Sequence, residues 1–242
     1  MLGRLAHAMP NDVKDQILAF YHRLAGDRHH RYRSWEHCYQ HFQQRALFAG
    51  QQQVETAALH LAFYLASWGM YRGSSFLLQR DYSIHLDAVS TLLQPQYEPL
   101  WSATFNDATK DETAANLICS LSDALKATYR QHIADENVRR RNPTDTLITK
   151  ILLGTVGCAP ACDRYFILGF RHRELMYSQF SASFLRQVFR FYRDHAEALN
   201  DAQSAIVQQG GIRYPIMKLI DMYFWEIGFT LLPNTDENST GA

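Results

Sequence analysis

No stretch of this 242-residue chain reaches the about 18 uninterrupted apolar residues that a membrane-spanning helix needs. The most apolar window, residues 57–71, is interrupted by His60 and Ser67, so no membrane association is expected. The opening MLGRLAHAMPNDVK lacks the apolar core of a secretory signal. Cysteine is scarce: Cys38, Cys119, Cys158 and Cys162 stand in apolar surroundings, without the spacing of a disulfide framework. A reduced, cytoplasmic protein is the expectation. An excess of one charge is missing as well. Lys+Arg and Asp+Glu number 24 each, so no whole-molecule field selects an acidic or basic partner. Lysine itself is rare, 5 against 19 arginines. Arginine binds carboxylates and phosphates in a bidentate manner, so local basic patches still matter. Alternating strand patterns, internal repeats and long polar linkers are also absent, which leaves helices.

Helical spacing runs through nearly the whole chain. Val13, Ile17, Phe20, Tyr21 and Leu24 form one stripe closed by Gly26, and Ser34 opens a second helix that carries Trp35, Cys38 and Phe42 inward. Residues 53–72 are apolar on most faces, as a helix surrounded by others would be. Thr109-Lys-Asp-Glu112 has the form of a capping box, and Asn142-Pro143 that of a helix start. Further helices are predicted near 83–93, from Pro160, over 183–207 and over 215–231. The expectation is a single all-α domain over residues 1–233. It has eight or nine helices around the central helix at 53–72, and a polar tail at 234–242.

One stretch departs from helical filler: ILLGTVGCAPACDRYF, residues 151–166. Gly154 and Gly157 bracket a turn, and Pro160 suits a first helical position. A helix starting there would turn its free amides toward an anion. Val156-Gly157-Cys158-Ala159-Pro160-Ala161 resembles the second half of the helix-hairpin-helix DNA-binding element, with Thr155 where that element has its first glycine. The resemblance implies DNA binding, and in the DNA glycosylases that share the element, a catalytic aspartate after the hairpin. Asp163 is the candidate here, although it follows Gly157 by only six residues. Cys158 and Cys162 could share a helix face, but the chain has no second cysteine pair to complete a zinc site. Cys158 could instead be a reactive thiol at a helix N-terminus.

His37 and His41 are four apart and could grip a metal only if a third ligand, His22, His60 or His85, converged on them. No metal and no cofactor is expected. Arg80-Asp-Tyr-Ser-Ile-His85 and Arg190-Phe-Tyr-Arg-Asp-His195 resemble the Arg-x4–6-His signature of HEPN ribonucleases, which implies Arg80 and His85 as catalytic candidates. Basic patches are numerous: Arg28, Arg31 and Arg33 with His29 and His30; Arg139 to Arg141; Arg164, Arg171 and Arg173 after the hairpin; and Arg186, Arg190 and Arg193 on one helix stripe. Two functions are consistent with this. One is binding of DNA, RNA or another phosphate ligand through the turn at 154–160 and the arginines, with nuclease or glycosylase chemistry as an extension. The other is a non-catalytic helical module that docks a protein partner. Convergence of the basic residues on one face would favour the first.

Overall fold

The computed structural model describes residues 10–48, 50–73, 75–133 and 142–232, and side chains from residue 12 onward. The arginine run 139–141 and the tail 234–242 lie outside the described residues. The described residues contain no strand. They form ten α-helices: α1 Pro10–Ala25, α2 Ser34–Gln43, α3 Gln51–Ser67, α4 Leu86–Leu92, α5 Asp111–Gln131, α6 Asp145–Gly154, α7 Arg164–His172, α8 Ala182–Asp194, α9 Ala196–Gln208 and α10 Ile216–Leu231. Short 3-10 turns link several of them.

The expected eight or nine helices become ten because the stretch 183–207 is two helices. The chain leaves helical geometry at His195 (φ −125°), which caps α8 and starts α9. The predicted capping box is replaced by another device. Asp107 accepts from the Thr109 amide and hydroxyl and sets a 3-10 turn, which runs directly into α5.

A second correction concerns the centre. Helix α3 is not wrapped on all sides, since Leu59 is 49% and Phe63 62% exposed. The enclosed helix is α10, buried at every residue from Met217 to Gly228. Its closest neighbour is α7, and two glycines explain the approach. A Cβ built on Gly228 would stand 2.7 Å from the carbonyl carbon of Tyr165 and closer still to its oxygen. A Cβ on Gly169 would stand 2.9 Å from the carbonyl carbon of Phe224, again with the oxygen nearer. The two backbones therefore touch, and each glycine leaves the space that the other helix fills. Around the crossing, Phe166, Phe170, Phe184 and Phe224 pack edge to face or stacked. The buried side chains of all ten helices form one continuous core.

Candidate functional site

Residues 155–163 are neither a hairpin tip nor a helix start. No helix begins at Pro160, and α7 starts at Arg164 with Asp163 as its N-cap, accepting from the amides of Tyr165 and Phe166 at 3.1 Å. Every residue from Ile151 to Cys162 is buried. Gly157 has a left-handed backbone (φ +75°), and a Cβ there would press on the Tyr39 ring and Pro215. A Cβ on Gly154 would lie 2.8 Å from the ring of Tyr64 and closer still at one carbon. The turn is thus shaped by packing, and its amides look inward.

An anion does meet them, and it belongs to the protein. Ala161 N donates to Asp221 Oδ1 at 3.1 Å, from a helix that lies sixty residues on. Asp221 Oδ2 takes Lys218 Nζ at 2.8 Å. Lys150, one turn before the end of α6, donates to the Trp68 carbonyl at 3.3 Å and pairs with Asp163 Oδ2 at 3.5 Å. Two ammoniums and two carboxylates therefore share one dry centre, held by α6, α7, α10 and the end of α3. Burial lowers the proton affinity of Lys150, and Asp163 and Asp221 partly offset this. Burial likewise raises Asp221 against the pull of Lys218. Aromatic faces complete the shell: Lys218 Nζ is 5.0 Å from Phe20, 5.3 Å from Trp35 and 4.9 Å from Trp68, and Lys150 Nζ is 5.0 Å from Trp68. Such contacts return part of the hydration that a buried ammonium loses.

Above this centre lies the loop between α1 and α2. It carries Arg28, His29, His30, Arg31, Tyr32 and Arg33, and it lays the Tyr32 ring on Trp68 with 4.4 Å between centroids and 29° between planes. Tyr32 also meets Trp225 edge-on at 6.0 Å. The indole nitrogen of Trp68 and one oxygen of Glu226 are buried without a partner. Arg72 folds back beside Gly69, next to Trp68. Arg28 and Arg31 are exposed and form no ion pair among the described residues.

Most of the arginines singled out in the sequence are engaged elsewhere. Arg173 pairs with Asp12, Arg186 with Glu112 at 2.5 Å, and Arg193 makes two 2.8 Å bonds to Asp111. Arg171 donates to the Tyr177 carbonyl, and Arg164 lies over the Tyr165 ring. Arg190 is exposed on α8. Arg173, Arg186 and Arg193 therefore tie separate helices together through acids remote in sequence.

The remaining candidates separate too. Burial pushes the Cys158 thiol up to about 12, so it is no thiolate at neutral pH, and Cys158 does not itself open a helix, since α7 begins at Arg164. All four cysteines are unbridged. His41 stacks on His60 at 4.1 Å with planes 12° apart, and Phe48 stacks on His41 at 5.0 Å. Among the described residues, no group of three His, Cys, Asp or Glu side chains is arranged to hold a metal ion.

Arg80 is exposed whereas His85 is buried, so the pair does not assemble as a surface ribonuclease site. Both His85 nitrogens are taken, at 2.6 Å each, by the hydroxyls of Tyr71 and Tyr129. Burial lowers its pKa to about 3. The unfolded value is about 6.5, so the unfolded chain takes this proton first. Stability falls as the pH drops below about 6.5, and the loss continues to about pH 3, where the folded histidine also protonates. His85 alone should cost about 2 kcal/mol between pH 6.5 and pH 5. Urea unfolding of His85→Gln should show a pH slope shallower by about one proton over that interval; equal slopes would refute the assignment.

Sequence reasoning missed Lys150, Lys218, Asp221, Trp68 and Tyr32. The signal was present: two of the chain's five lysines sit inside the apolar runs of α6 and α10, where a lone charge requires a partner. No family model, no curated protein and no solved structure matches this chain.

Proposed function

We propose that the protein binds single-stranded nucleic acid, DNA or RNA, on the face formed by residues 28–33 and Arg72, which lies over the buried Trp68. The observation that carries this is the loop's composition and place: Arg28 and Arg31, exposed and without ion pairs among the described residues, come just before a tyrosine that stacks on a tryptophan, while Arg33 after it pairs with Glu36 at 3.1 Å. Strands without base pairing are held by such a combination, cations along the backbone and aromatic faces for the bases. The reading is one of binding alone, because Asp163 caps a helix and His85 is enclosed by two tyrosines.

Fluorescence anisotropy with a labelled 12-nucleotide strand at 50 and 200 mM salt tests it. Arg28→Ala/Arg31→Ala should bind roughly tenfold more weakly, and the log–log salt slope should shrink by about 1.4, two single-strand phosphates' worth. Equal affinity and slope for the variant would reject this face.

A second reading, docking of a protein partner, is favoured by the uncharged stretch Leu59, Ala62, Phe63 and Ala66 along one side of α3, with Leu59 and Phe63 exposed. The strand titration separates the two, since this reading predicts no salt-dependent binding by the loop.

A further inference from the structure

We propose that His30 is a proton-operated latch on the turn that carries Tyr32, closed by the neutral imidazole and released when the ring takes a proton. The latch sits in the same loop as the strand-binding face, and its operation does not depend on whether a strand binds there.

His30 is half-buried and stands one residue before the 3-10 turn Arg31–Arg33. Its ring caps that turn: the Tyr32 amide donates to His30 Nδ1 at 3.3 Å. An amide can donate only to a ring nitrogen that carries no proton, so the neutral ring holds its own proton on Nε2. The imidazolium has an N–H on both nitrogens and accepts at neither. Protonation therefore sets donor against donor and ends the cap. Other caps of this chain do not titrate near neutrality. Ser75, Thr144 and Ser181 cap with hydroxyls. Asp81 and Asp107 cap with carboxylates that those same hydrogen bonds hold below the usual range.

What the cap steadies is Tyr32. The Tyr32 hydroxyl is bonded to Arg31 Nη2, the neighbouring residue, at 3.0 Å. The core tyrosines are instead anchored across the fold, Tyr64 to the Lys150 carbonyl, Tyr129 to His85 and Tyr214 to Glu36. Without the cap, the Tyr32 amide has lost its acceptor, and its side chain is left with the Arg31 bond and its ring contacts to Trp68 and Trp225.

The charges around His30 set the direction of the switch. Burial lowers its proton affinity; Asp27 opposes this, and Arg31 and Arg23 reinforce it. The Asp27 carboxylate is already engaged by the His29 amide at 2.7 Å. Arg23, on α1, is held by Glu226 of α10 at 2.5 Å. Helix α2 presents Glu36, bonded to Arg33 and to Tyr214. The end of α3 presents the Trp68 ring, with the ammoniums of Lys150 and Lys218 at 5.0 and 4.9 Å from it. The open turn, with an ordinary histidine value of about 6.5, thus takes the proton before the closed one does. The closed turn is favoured above that pH and loses stability as the pH falls below it.

The test is residue-resolved amide exchange on the full chain, corrected for the intrinsic rate, from pH 7 to pH 4.5. Protection of the Tyr32 amide in the wild type should fall about fivefold, the usual worth of a cap. His30→Asn keeps a side-chain acceptor that does not titrate, so its Tyr32 protection should hold across the range. His30→Ala has no cap, and it should be as open at pH 7 as the wild type is at pH 4.5. Nitrogen-15 spectra of the His30 ring should show Nδ1 without a proton at pH 7, changing with the same midpoint as the Tyr32 amide. An equal fall in His30→Asn would assign the effect to another group, His85 included, and overturn the latch. A Tyr32 amide indifferent to pH in the wild type, or a protonated Nδ1 at pH 7, would overturn it too. Strand affinity is measured separately at neutral pH, so failure of the latch leaves the binding face standing, and failure of binding leaves the latch.

Discussion

Asp221→Asn is expected to lower the stability of the fold by about 3–5 kcal/mol, the usual cost of removing one partner from a buried ion pair. Asparagine keeps an oxygen for the Ala161 amide, so what is removed is the charge that faces Lys218. Lys218 cannot turn to water, because its side chain is 1% exposed and ringed by Phe20, Trp35 and Trp68. It must then lose its proton or draw on Asp163, which already serves Lys150 and the first turn of α7. The companion measurement is Lys218→Met in the Asp221→Asn background. With both charges gone and an apolar chain of similar length among the aromatics, most of the loss should return. Urea midpoints for the single and double variants decide it. A single variant within 1 kcal/mol of wild type would mean that Lys218 is neutral in the folded protein, and the four-charge description would fail.

Gly228→Ala should be the most damaging methyl group that can be added to the chain, costing roughly 3 kcal/mol or more, the upper range of overpacking. The added carbon meets backbone and not the end of a mobile side chain: the Tyr165 carbonyl on one side and the Gly169 amide nitrogen, 3.0 Å away, on the other. Relief requires α7 to move off α10. That would part Phe166 and Phe170 from Phe224, and Tyr165 from Trp225. Gly210→Ala is a useful contrast. Its positive φ (83°) imposes backbone strain, yet no atom lies within 4 Å of the added carbon, so about 1 kcal/mol is expected there. Thermal melts of the two variants should therefore differ widely, and similar melting temperatures would show that the crossing can relax.

The all-α class and the faces of most helices were legible in the sequence because an apolar stripe at helical spacing is a local property. The α1 stripe from Val13 to Leu24 is buried as read. Two features were not local. Whether 183–207 is one helix or two depends on His195, which no breaker residue announces. Which helix lies at the centre depends on the tertiary partners of α3 and α10, and both are strongly apolar. The stretch 151–166 is unusual in its glycines, its proline and its cysteines, yet the sequence carries no sign of whether a turn's amides face solvent or a carboxylate sixty residues on. The arginine patches failed for a related reason. Arg173, Arg186 and Arg193 find acids that are remote in sequence, and only assembly of the fold reveals those pairs.

The segment 155–163 has a consequence for how the molecule comes apart. Although it has no regular structure, it is bonded to four separate elements. The Thr155 carbonyl takes Gln43 from α2, the Cys162 amide and carbonyl engage Thr149 and Thr146 of α6, Ala161 holds α10, and Asp163 begins α7. Loops ordinarily mark the seams along which a protein opens in pieces. Here the loop is a fastening between α2, α6, α7 and α10. Displacing this segment breaks its bonds to all four helices at once, so opening there is expected to loosen them together.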